Sequence, residues 1–96
     1  MPWIWHAKKN RDNQRKHKLS FEVAQLVFDD PLAASQPDPY PYEERWQSIG
    51  LVGSVVVVVI HTSLTMDTST REETGRIISA RKATAHERKA YEDEDF

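Results

Sequence analysis

The sequence predicts an α+β domain, an antiparallel sheet with helices on one face, and three observations carry that reading. Val55–Ile60 is an unbroken β-branched and apolar run, the pattern of a strand buried on both faces at a sheet centre. Two helix-compatible segments precede it, one of them opening on the N-cap residue Ser20. A second apolar strand, Arg76–Arg81, runs directly into a T-x-x-E capping box, Thr84 to Glu87, which starts a final helix. Runs of strands with helices set apart from them give α+β rather than a doubly wound sheet.

Taken in order, Trp3-Ile4-Trp5 alternates too briefly to be more than an edge strand or a packed N-terminal anchor. His6–Lys18 is polar, without Gly or Pro, and reads as a surface helix docked through Trp5, Ala7 and its lysine stems. After Ser20, Glu22 suits the positive end of a helix dipole, and Phe21, Ala24, Val27 and Phe28 fall on one helical face. Asp30-Pro31 ends that helix. Four prolines (Pro31, Pro37, Pro39, Pro41) make 31–42 a connector, with one edge strand near Leu32–Ser35. Glu44–Ile49 is a strand, Gly50 and Gly53 bracket a turn, and Ser63–Glu73 is a long exposed hairpin loop. The last helix ends near Glu92, where an acidic tail meets the negative end of its dipole. The expected sheet has three to five strands, with two N-terminal helices and a C-terminal one, in a single domain over residues 1–96.

Composition narrows the functional classes. The 96 residues contain no cysteine, which excludes disulfide scaffolds, thiol nucleophiles and Cys-ligated zinc. A chain this short buries about 60–65% of its unfolded surface, so stability is marginal and a partner plausible. The six-residue apolar run cannot span a bilayer, and no basic-then-apolar leader opens the sequence, so a cytoplasmic location is expected. The formal net charge of −2 conceals an asymmetry. Residues 1–28 carry six Lys/Arg against two Asp/Glu, whereas residues 29–75 carry two against eight. A basic N-terminal third hints at a polyanionic partner, or is simply a solvated helix face.

His6, His17, His61 and His86 lack metal-binding spacing, and no glycine-rich phosphate loop or nucleophile elbow is present, so no metal or cofactor is expected. The segment Arg76-Ile77-Ile78-Ser79-Ala80-Arg81 is more informative. Arginine suits bidentate phosphate recognition, but on a regular strand Arg76 and Arg81 point to opposite faces unless a bulge intervenes. Alternatively, one arginine pairs with Glu87 or another carboxylate. Glu87 and Tyr91 share one face of the last helix, fit for acid–base chemistry or for a salt-bridge network. His17 ends the cationic run Arg15-Lys16-His17-Lys18, a setting that favours a neutral imidazole base or marks an ordinary helix C-terminus.

These residues together resemble the BrnT toxins. Trp5, Lys9, Asn13, Lys16-His17, Ser20-Phe21-Glu22-x-Ala24 and Phe28-Asp29-Asp30-Pro31 match at the family's spacing. So do Glu43-x-Arg45, Ile49-Gly50 and Val58-x-Ile60-His61-Thr62, and most specifically R-I-I-S-A-R-K-A-T-x-x-E-R-x-x-Y-E over 76–92. The chain departs from the pattern at His6, where the family has Asp, at Lys18, where it has Gly, and at Gly75, where it has an aliphatic residue. Its 63–75 loop is also longer.

The resemblance implies a RelE-like fold and the toxin half of a type II toxin–antitoxin pair, a ribonuclease that inhibits translation. It further implies a BrnA antitoxin that neutralises the toxin in a two-plus-two complex and alone contacts operator DNA. Metal-free RNA cleavage needs a base for the 2′-hydroxyl, cations for the phosphorane charge and an acid for the leaving 5′-oxygen. Arg76, Arg81 and Arg45 are the expected phosphate-binding set, His17 and Glu87 the acid–base candidates, and Tyr91 their support. Lys9, Arg15 and Lys16 are expected to guide the RNA backbone. The competing readings are a non-catalytic protein-binding module and a DNA-binding regulator acting through the basic first helix.

Overall fold

The structure, a computed structural model, describes residues 2–96. The elements run β1 (Trp3–Ile4), α1 (Ala7–His17), α2 (Phe21–Ala24), a 3₁₀ turn (Gln25–Asp29), β2 (Ala34–Pro37), β3 (Arg45–Val52), β4 (Val55–Thr62), β5 (Thr65–Asp67), β6 (Glu72–Lys82) and α3 (Ala85–Glu92). The sheet order is β1-β6-β4-β3-β2, with β5 paired to β6. All pairings are antiparallel except β1 with β6. The valine run is therefore the central strand, and Val56–Val59 are buried on both of its faces. Among the described residues the sheet has six strands, one more than expected: β1 is the edge-strand alternative read at Trp3-Ile4-Trp5, and the three-residue β5, inside the expected loop, is too short to leave a periodic signal.

The helices divide between the two faces, which corrects the expectation of one. Phe21, Ala24 and Val27 close with Val57, Val59, Ile77 and Ala80 into one core, capped by Trp3, Trp5, Leu19 and Phe28. Ile49, Val56 and Val58 form the other, bordered by Ala34, Ile60, Ala83, Tyr91 and Phe96. A strand with both faces apolar demands cover on both, and α3 supplies part of the second cover although none of its own residues is buried.

Each departure from the family pattern has a structural counterpart. Lys18 takes the left-handed conformation (φ 58°, ψ 32°) that ends α1, the position where glycine is favoured. His6, the α1 N-cap, makes no side-chain cap. At Gly75 a Cβ would stand 2.5 Å from the Trp3 ring, so the missing side chain lets the tryptophan lie on β6. Gly50 is not part of a turn: β3 continues through it to Val52, and its missing side chain leaves room for the Val27 carbonyl oxygen, which would stand 2.9 Å from a Cβ. The long loop forms the β5–β6 hairpin, with Thr65–Asp67 paired to Glu72–Thr74. The expected second helix holds α-geometry only for Phe21–Ala24 before tightening to 3₁₀, and the edge strand lies at 34–37 instead of 32–35.

Candidate ribonuclease site

The register of β6 decides where the arginines go. Val58 faces Arg81, Ile60 faces Ser79, and His61 faces Ile77, so the pairing slips by one residue and Ile78 has no partner. This is a β-bulge, and it reverses the side-chain alternation. Ile77 and Ala80, three apart, consequently both enter the core under α1 and α2. Arg76 and Arg81, one step outside them, both point to the opposite face. Arg45 faces Thr62, the residue after inward-pointing His61, and joins them there. The bulge thus sets Arg76 and Arg81 on the α3 side of the sheet, where β3 already places Arg45.

They form two clusters. Arg45 Nε and Arg76 Nη2 both donate to Glu43 Oε1, at 2.9 and 2.7 Å, and the Arg45 guanidinium lies 3.6 Å over the Tyr40 ring. The flanking guanidinium groups hold the Glu43 carboxyl below its ordinary range. Further along the face Arg81 grips Glu87 through two bonds, Nη1 to Oε1 at 2.6 Å and Nη2 to Oε2 at 3.0 Å. Val58 and Thr62, which mark the two clusters on β4, are four residues or about 13 Å apart.

Glu87 is the more constrained partner. Besides Arg81 it receives the Thr84 amide at 2.9 Å, completing the capping box with Thr84 Oγ1. Bonding to Arg81, ahead of the amide contribution, lowers its pKa to about 2, and the same pair raises that of Arg81. Glu87 is thus a carboxylate across the physiological range. Tyr91 behaves oppositely. Its hydroxyl donates to Asp30 Oδ2 at 2.5 Å, which raises the phenol to about 12, and Asp30 also accepts the Leu51 and Leu32 amides.

The structure brings together Arg45 with Arg76 and Arg81 with Glu87, and ties Tyr91 to Asp30 instead of to an arginine. It does not join His17, Lys9, Arg15 or Lys16 to either cluster. These lie on α1, which runs along the β6 edge and is fastened there by Asn13. Asn13 is buried; its side-chain oxygen accepts the Ala80 amide at 3.1 Å while its nitrogen donates to the Ala80 and Leu19 carbonyls. Among the described residues His17 has no side-chain hydrogen bond, and Arg15 meets only Asp12, at 3.9 Å.

Several contributors were not legible as functional residues. Glu43 and Asp30 stand in the sequence as matching family positions, but only the i, i+2 relation of Glu43 to Arg45 hints at a role, and the Asp-Pro dipeptide marks Asp30 merely as a helix end. His61, set aside as a metal ligand, is buried on the helix face. Its Nδ1–H donates to the Thr62 carbonyl (2.8 Å), leaving Nε2 to accept from Ser48, which in turn meets Ser35 at 2.6 Å. Burial lowers its pKa, and Trp3 and Phe28 pack around the ring. It organises the core beneath the site and does not face the arginines. Among the described residues no three His, Asp or Glu side chains converge as a metal site would require, and no helix is long and apolar enough to cross a membrane.

The family model of the ribonuclease toxin BrnT, of type II toxin–antitoxin systems, matches residues 5–87. The match takes in Arg45, Arg76, Arg81 and Glu87 and stops short of Tyr91. No curated relative matches the chain. With a family match over most of its length and the mixed fold expected of a RelE-like protein, the chain belongs to the BrnT ribonuclease toxins, whose type II systems pair each toxin with a cognate antitoxin.

Proposed function

We propose that the protein is a metal-independent endoribonuclease that cleaves RNA, inhibits translation, and is neutralised by a BrnA-type antitoxin in a two-plus-two complex. The observation that carries this reading is the bulge at Ile78, which sets Arg76 and Arg81 on one face, the face that Arg45 of β3 also takes. Three guanidinium groups in a partly desolvated setting suit the charge that accumulates on a phosphorane. A bulge that costs ladder bonds and re-aims side chains has a clear use there.

Arg76, with Arg45 beside it, and Arg81, aimed by Glu87, take the scissile phosphate between the two clusters, the length of the arginine side chains closing the gap. An incoming phosphate replaces Glu43 on the shared pair. Glu87, ionised down to about pH 2, orients Arg81 and serves at most as a weak base, and it does not donate a proton. Tyr91, protonated to about pH 12, can support an acid role once its bond to Asp30 is exchanged for the substrate. His17 serves as the complementary acid–base group, reaching the phosphate as RNA crosses the β6 edge past α1. Lys9, Arg15 and Lys16 line that approach. Operator DNA is contacted through the antitoxin alone.

The test is cleavage of an RNA oligomer in EDTA beside one carrying a single 2′-deoxy substitution at the cut. Only the unmodified RNA should be cleaved, through attack of its own 2′-oxygen. Cleavage of both, or loss of activity in EDTA, overturns the mechanism. In cells, Arg76→Ala and Arg81→Ala should abolish toxicity by at least 100-fold in colony count (roughly the weight of one charge-stabilising donor) while antitoxin capture persists.

A further inference from the structure

Beside the Arg45–Arg76 pair the chain presents Pro39-Tyr40-Pro41-Tyr42, and its second tyrosine is out of place as a core residue. Tyr42 is 84% exposed, although large aromatics ordinarily bury most of their area. Its hydroxyl has no hydrogen-bond partner among the described residues. The ring is nevertheless held. It stands edge-on to Tyr40, with centroids 5.5 Å apart, and Tyr40 is clamped under the Arg45 guanidinium at 3.6 Å. Asp38 fixes the base of the array by accepting the Tyr40 amide at 3.1 Å and the Gln47 side chain at 2.8 Å. Pro41 restricts the backbone between the rings, and Pro39 the approach to Tyr40.

A continuous series results: free aromatic face, buttressing aromatic, guanidinium, carboxylate, guanidinium. Tyr42 and Arg45 lie no further apart than the two short steps through Tyr40. A nucleotide offers a base and a phosphate at comparable separation. We infer that Tyr42 is a nucleobase-stacking residue, which receives an unpaired base next to the phosphate taken by Arg45 and Arg76, with Tyr40 as its positioning residue. The inference rests on the ribonuclease reading above and deepens it, since a base that stacks on Tyr42 has left any duplex and the substrate is single-stranded there. The neighbouring carboxylates do not oppose it. Asp38 is committed to Gln47 and the Tyr40 amide, Glu44 accepts the Trp46 indole at 3.2 Å, and Glu43 is the group the phosphate displaces.

Stacking on an aromatic side chain changes affinity by roughly five- to 150-fold per base. The experiment is fluorescence anisotropy with a labelled 2′-O-methyl hexauridylate, which resists cleavage because its nucleophile is blocked, and with an abasic oligomer of the same length. Wild-type protein should bind the base-bearing oligomer roughly tenfold more tightly. Tyr42→Ala should erase that difference by weakening only the base-bearing complex, and Tyr42→Phe should recover it. Arg76→Ala should weaken both oligomers alike. Equal binding of both by wild type, or an unchanged difference in Tyr42→Ala, overturns the inference. So does a Tyr42→Ala variant that loses affinity for the antitoxin but not for RNA, which would make the ring a protein contact. Cleavage of unmodified RNA by wild type, run in parallel, tests the ribonuclease reading separately. Cleavage without a base-dependent difference rejects the stacking residue alone, and the reverse result rejects only the ribonuclease.

Discussion

Lys18 and Asn13 show how single residues of α1 set the entry to the site. Lys18 ends the helix at φ 58°, where an L side chain crowds its own backbone and glycine does not. Replacing it with glycine should stabilise the protein by about 1 kcal/mol, seen as a higher urea midpoint; an unchanged or lower midpoint would show that the lysine's bond to the Arg15 carbonyl outweighs the strain. Asn13 uses one side-chain amide as though it were a neighbouring strand, satisfying both the amide and the carbonyl of Ala80. Asn13→Ala leaves those groups unpaired beneath the helix and should cost about 1–3 kcal/mol, measured by the same urea unfolding. A loss below a few tenths would mean that water replaces the side chain. The asparagine appeared in the sequence only as a matching family position. Its mate is 67 residues away, and no local pattern could announce it.

At the scale of the element, α3 depends on polar anchors more than on burial. No residue of the helix is buried; its start is set by the Thr84–Glu87 box and Arg81, its far end by the Tyr91–Asp30 bond. The capping box was legible because both partners are three residues apart. The bidentate bond to Arg81 stood only as one of two alternatives, since six residues and a change from strand to helix intervene. Glu87 supplies a pH signature. Its folded pKa of about 2 lies below the ordinary value near 4.5, so its stabilisation is complete above about pH 4.5 and lost as pH falls toward 2. Between pH 5 and 2.5 the thermal midpoint of wild type should therefore fall further than that of Glu87→Gln, followed by circular dichroism. Parallel curves for the two proteins would show that the ion pair contributes nothing measurable, as with many exposed pairs. The bulge in β6 belongs to this scale too. Arg76-Ile77-Ile78-Ser79-Ala80-Arg81 contains no glycine or proline to mark it, and only the pairing with β4 reveals that Ile78 is the surplus residue.

For the molecule as a whole, the division of charge acquires a geometry. The arginines of β6 lie on the face of the sheet opposite α1, turned toward Glu43 and Glu87, and the basic third is α1 along the β6 edge. RNA that reaches both must pass over it, and affinity should fall with salt. If Lys9, Arg15 and Lys16 each contact a phosphate, replacing all three by alanine should lower the slope of log affinity against log salt by about 2 for single-stranded RNA, measured with the 2′-O-methyl oligomer. An unchanged slope would assign these cations to solvent. The central position of Val55–Ile60, the capped starts of α2 and α3 and the α+β class follow from local pattern, because hydrophobic period and capping are properties of neighbouring residues. The family, too, was legible in the arginine block of 76–92. The side of the sheet each arginine takes, the carboxylate each one holds, and the placing of helices on both faces came only from the tertiary structure. Those depend on strand register and on contacts between residues far apart in the chain, which periodicity does not encode.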